Sequence, residues 1–182
     1  MDSHNFPNLP LMKISAWHKA HGDTVEWWDP NGGQYSMVYA SKVFTESVMP
    51  AITNADAVHI GGSGIDLKNK LPYEIEHTTP DYTLYPQFTF ALGWLTRGCP
   101  RANHGFCITP EKDGCRSIKT ADLSEFWTGQ KEIYLLDQNL LACKSDRIDL
   151  IRQLAASKAE VEFGGGMDVR FMTDEVIEEL RH

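Results

Sequence analysis

The sequence predicts an α/β protein in two parts, an incomplete parallel-sheet layer over residues 1–65 and a run of βα units over residues 88–182. Three observations predict it. A helical stripe and short apolar strands lead into a glycine cluster, Gly61-Gly62-Ser63-Gly64. Pro72, Pro80 and Pro86 mark residues 66–87 as an irregular linker. Beyond it, strand and helix patterns alternate three times.

The elements follow in order. Residues 8–21 carry Leu9, Met12, Ala16 and Ala20 at helical spacing, with Pro10 in the first turn and Gly22 as the stop. Val25 and Trp27 alternate with polar neighbours in a short strand, and Asp29-Pro30-Asn31-Gly32-Gly33 is a turn. Residues 36–40 and 55–60 read as strands, the second running into the glycines. A doubly wound, Rossmann-like layer usually opens with a strand, whereas this chain opens with a helix, so the layer lacks its first strand. After the linker come a strand at about 88–96, a cysteine-bearing loop, and a helix near 122–129 with Asp122 and Glu125 as a capping box. A strand at 132–137, a helix at 146–157, a strand at 160–163 and a helix from Thr173 complete the run. This is the grammar of a βα barrel, with too few units to close one.

Composition narrows the function. The chain has 182 residues, 42% hydrophobic and 23% charged, enough to bury a core without staples. A net charge of −8 disfavours a broad grip on nucleic acid or anionic lipid, although Arg97, Arg101, Lys112, Arg116 and Lys119 cluster locally. No apolar run approaches the roughly 20 residues that span a bilayer, and Met1–Asn5 lacks the features of a signal peptide. The expected compartment is the cytoplasm, with neither membrane nor nucleic acid as partner.

Four cysteines stand at 99, 107, 115 and 143, and clustered thiols in a reducing compartment point to metal ligation or catalysis. The segment Leu95-Thr96-Arg97-Gly98-Cys99-Pro100-Arg101 … Phe106-Cys107-Ile108 directly follows the first strand of the βα series. Such sheets place their chemistry at that carboxyl end. Here the sequence resembles the radical-SAM superfamily, whose loop at this place reads Cys-x-x-x-Cys-x-aromatic-Cys. The resemblance extends to His4–Lys13, Ser41–Phe44, Gly61–Gly64, Ala121–Trp127, Leu136–Leu141 and Gly166–Arg170, in the order of one bacterial and phage subfamily.

The resemblance implies a partial radical-SAM barrel binding a 4Fe-4S cluster and S-adenosylmethionine, with radical chemistry on an unspecified substrate. Cys99 and Cys107 take the place of iron ligands. Seven residues lie between them where the family has six, and none is cysteine. His104, three residues before Cys107, has the offset of the missing central ligand, and Cys115 is a second substitute. Phe106 corresponds to the aromatic that borders adenine, and Asp137 and Asn139 to cofactor contacts after the second strand. Asp168 and Arg170, beyond the glycines after the third strand, hold each other or a polar ligand. An active protein would need a reductant partner, and a second chain would complete the barrel.

Other readings stand beside this one. The absent first strand, the absent central cysteine and the small number of barrel units fit a non-catalytic remnant. Cys99, His104, Cys107 and Cys115 together fit a small zinc module. Gly61–Gly64 fits a phosphate or cobalamin-tail cradle, and Asp2-Ser3-His4 matches half of a cobalamin motif whose glycine is replaced by Pro7. Cys143 reads as a packed thiol, and the remaining histidines as ordinary polar residues.

Overall fold

Residues 6–101 and 105–181 are described in a computed structural model of the chain. It divides into two units, residues 1–88 and 89–182. Both are mixed α/β with small parallel sheets, and no strand set among the described residues closes into a barrel.

Unit 1 starts from helix α1, Leu9–Ala20. Asn8 caps it, its Oδ1 accepting from the Leu11 N–H at 3.2 Å, with Pro10 in the first turn where its missing donor costs nothing. Strands β1 (Tyr35–Ser41) and β2 (Ala55–Gly61) pair in parallel, Val38 opposite Val58 and Ala40 opposite Ile60. α1 packs on β1, burying Leu9, Leu11 and Met12 together with Val38 and Ala40. The Asn8 amide donates to Ser41 Oγ at 2.8 Å and ties the helix start to the strand end. The expected strand at Val25 and Trp27 is absent. Side chains anchor that segment instead of a ladder: the indole N–H of Trp27 donates to the Leu84 carbonyl and that of Trp28 to Asn54 Oδ1. Residues 66–87 carry only a single helical turn, α2 (Tyr73–Glu76), and a 3-10 turn at Tyr82–Leu84. Asp81 joins them to α1, accepting from Ser15 Oγ at 2.6 Å and Lys19 Nζ at 2.7 Å.

In unit 2 the expected strand at 88–96 divides in two, β3 (Ala91–Gly93) and β4 (Thr96–Arg97). The cause is Asp137, whose carboxylate takes the backbone N–H groups of Leu95 and Thr96 away from any ladder. After a single-turn helix α3 (Thr109–Lys112), strand β5 (Ile118–Lys119) pairs antiparallel with β4 and closes the cysteine loop at its base. The expected helix at 122–129 is a 3-10 turn, Leu123–Glu125. Glu125 accepts from the Asp122 N–H at 3.0 Å, so the capping contact forms without the helix. Phe126, 2% exposed, packs so tightly on Gly93 that a Cβ there would lie 2.3 Å from the ring, and Gly129 then takes φ +104°.

Strand β6 (Glu132–Leu135), helix α4 (Arg147–Ser157) and strand β7 (Glu160–Phe163) follow, then helix α5 (Asp174–Glu179), capped by Thr173. The sheet runs β3-β6-β7, all parallel and in sequence order. The buried residues of this unit include Leu92, Leu95, Ile133 and Leu135, with Leu150, Ile151 and Leu154 of α4. Parallel strands in this order bring three loops to one edge.

Candidate functional site at the carboxyl edge of unit 2

Four of the residues expected at a site meet at that edge, Cys99 and Asn139 each from its own loop and Asp168 and Arg170 together from a third. Asn139, beyond β6, donates from Nδ2 to Cys99 Sγ at 3.7 Å and to Asp168 Oδ2 at 3.4 Å. Arg170 grips Asp168 with both arms, Nε to Oδ1 at 2.9 Å and the terminal nitrogen to Oδ2 at 2.6 Å. The guanidinium holds the Asp168 carboxyl well below the usual carboxylate range, and the carboxylate in turn raises Arg170. Arg170 remains 59% exposed, so its outer face is open to solvent.

Asn139 is 3% exposed, and its Oδ1 is buried with no hydrogen-bond partner. A buried acceptor without a donor costs about 1–3 kcal/mol. Such an atom beside a thiol and an Arg–Asp pair can accept from a water or from a ligand that brings an N–H or O–H group.

Asp137 is used differently. Its Oδ1 accepts from the Thr96 N–H and hydroxyl, both at 2.6 Å, and its Oδ2 from the Leu95 N–H at 2.9 Å. Burial pushes its carboxyl up, while those hydrogen bonds oppose the rise. It is a strut under the cysteine loop, and its lone pairs face protein. Gly165 rests on it so closely that a Cβ would come 2.0 Å from the Asp137 carbonyl oxygen.

Two residues that the sequence did not single out position the loop. Gln138 Oε1 accepts from the Gly98 N–H at 3.1 Å, and its Nε2 donates to Asp113 Oδ2 at 2.9 Å. Asp113 also faces Arg97 at 3.5 Å. Gln138 sits between two expected contacts, which is a signal of sorts, whereas nothing in the spacing of Asp113 points to it. Gly98 has φ +89°, and a Cβ there would strike the Arg116 carbonyl oxygen at 2.1 Å. Only glycine permits that turn into Cys99.

Cys99 and Cys107 are half-buried, Cys115 is exposed, and Cys143 is buried with its thiol pushed up by burial. The Thr109 side chain and backbone hydrogen-bond Cys107 and hold its thiol below the usual range, which favours the thiolate form that binds metals. Phe106 is 88% exposed. His104 and the segment Asp2–His4 lie outside the described residues. Among the described residues no three His, Cys, Asp or Glu side chains stand together as a metal site. Nor is any described helix long and apolar enough to cross a membrane.

Comparison with known proteins returns no family model, no curated protein and no solved structure that matches the chain.

Proposed function

We propose that the chain is a radical-SAM-type protein whose cofactor edge is the carboxyl edge of the β3-β6-β7 sheet. The observation that carries this reading is the convergence of Cys99, Asn139, Asp168 and Arg170 from successive strand ends, with Asn139 Oδ1 buried and unpartnered. In this reading Cys99 and Cys107 hold iron, with His104 in the place of the central ligand. Asn139, Asp168 and Arg170 border S-adenosylmethionine, with Phe106 beside its adenine. Asp137 and Gln138 are positioning residues that fix the loop through Thr96 and Gly98. When bound, a reduced cluster supplies the electron that cleaves a carbon–sulfur bond of S-adenosylmethionine.

The described donor set favours a second reading as well. The loop carries three thiols, Cys99, Cys107 and Cys115, but no three ligands among the described residues stand together. A chain that keeps the fold without assembling the cluster would be a non-catalytic remnant. Anaerobic reconstitution with iron and sulfide, followed by reduction in the presence of S-adenosylmethionine, separates the two. The first reading expects brown protein with absorption near 400 nm that forms 5′-deoxyadenosine. Protein that stays colourless is the remnant, and zinc without sulfide would mark a zinc module.

A further inference from the structure

Unit 1 carries a polar network of its own. A half-open pocket of about 600 Å³ sits between α1, residues 23–28 and the start of β1. That volume lies in the range of small-molecule sites. Trp27, Trp28, Tyr35 and Tyr39 give it aromatic walls.

Those rings are fixed from behind. Trp27 Nε1 donates to the Leu84 carbonyl at 3.2 Å and Trp28 Nε1 to Asn54 Oδ1 at 2.8 Å. The Tyr35 hydroxyl accepts from the Asp29 N–H at 3.1 Å. The side of α1 adds a hydrogen-bonded chain, with His18 Nδ1 2.6 Å from Asp23 Oδ2 and His18 Nε2 3.0 Å from the Tyr39 hydroxyl. With Nδ1 donating to the carboxylate, Nε2 accepts the Tyr39 proton. Gln34 spends one of its two amide N–H groups on Asp56 at 2.8 Å.

The two indole N–H groups and both His18 ring nitrogens are therefore taken. The charge that the lining offers a ligand is negative, the carboxylates of Glu26 and of Asp23, which also faces His18, beside the neutral hydroxyls of Thr24, Tyr35, Ser36 and Tyr39. Among the described residues no Lys or Arg lines it. Aromatic faces beside carboxylates, with no Lys or Arg among them, select a cation on an apolar body.

We propose that this pocket binds a small aromatic amine, its ring against the indoles and its ammonium on Asp23 and Glu26. The site is independent of the cysteine edge, so neither proposal falls with the other.

Isothermal calorimetry on the full chain at pH 7 tests it with three probes of one shape: tryptamine, indole-3-ethanol and indole-3-acetate. Tryptamine is expected to bind about ten-fold tighter than the neutral alcohol, and the anion weakest. In Glu26→Gln and Asp23→Asn the advantage of the amine shrinks, while binding of indole-3-ethanol persists and reports an intact pocket. Equal affinities for amine and alcohol, preference for the anion, or no heat with millimolar tryptamine would overturn the proposal. The ratio in the unmutated chain decides alone if a variant does not fold.

Discussion

Asp137 and Asn139 stand two residues apart at one strand end, yet the structure uses them in opposite ways. Asp137 is 3% exposed and gives its oxygens to Leu95 and Thr96. Asn139 is equally buried, makes two long hydrogen bonds of 3.4 and 3.7 Å, and keeps an acceptor with no donor. Burial alone therefore does not tell strut from ligand contact. The accounting of lone pairs does: a residue whose acceptors are filled by backbone holds the fold, and one with an empty buried acceptor leaves a hydrogen bond for a water or a ligand to make.

The largest effect expected from testing this contrast is at the loop that both residues border. Gly98→Ala places a methyl group against the Arg116 carbonyl in a left-handed backbone, and urea denaturation should show a loss of about 3 kcal/mol or more. Gly114→Ala, at φ +91° with open space around it, carries strain without collision and should cost about 1 kcal/mol. Similar losses at both positions would mean that the loop is not held as described.

Asp137→Ala comes next. It leaves two backbone N–H groups and the Thr96 hydroxyl without their acceptor, a loss of about 3 kcal/mol. Asn139→Ala should cost less than about 1 kcal/mol, because it removes weak bonds together with an unsatisfied atom. Chemical denaturation of the pair measures the difference, and an Asn139 loss as large as that of Asp137 would break the contrast.

A smaller effect belongs to unit 1, where a carboxylate also serves as a strut. Burial would push Asp81 up, but hydrogen bonds from Lys19, Ser15 and Thr83 outweigh it and hold its carboxyl at about 2. A depressed carboxyl contributes stability that is full above its unfolded value near 4 and lost as pH falls through 2. Asp81→Asn should therefore lose about 2 kcal/mol at pH 7, with the gap from the parent chain closing between pH 4 and pH 2. A gap that stays constant across that range would show that the ionised form is not what the helix binds.

These struts explain what was legible in the sequence. Helices α1 and α4 and strands β1, β2, β6 and β7 were readable because their apolar spacing faces one local neighbour. The fate of residues 122–129 was not, since the capping box marks a start and Phe126 docking on Gly93 sets the end. The split at 88–96 was hidden for the same reason: the group that captures Leu95 and Thr96 lies about forty residues downstream. At the site, Cys99, Asn139, Asp168 and Arg170 were found because each follows a strand that shares an edge with the others. Asp113 was not, because its partner Gln138 is 25 positions away and reaches it only in the fold.

The central claim is that the edge above β3, β6 and β7 is a cofactor edge organised on Cys99 and Cys107. Anaerobic reconstitution of the unmutated chain beside Cys99→Ala and Cys107→Ala, with iron and acid-labile sulfide counted per chain, tests it most directly. The account predicts bound iron and sulfide with absorption near 400 nm in the unmutated chain and their loss in both variants. Colourless protein from the unmutated chain, or equal iron in all three, would contradict it.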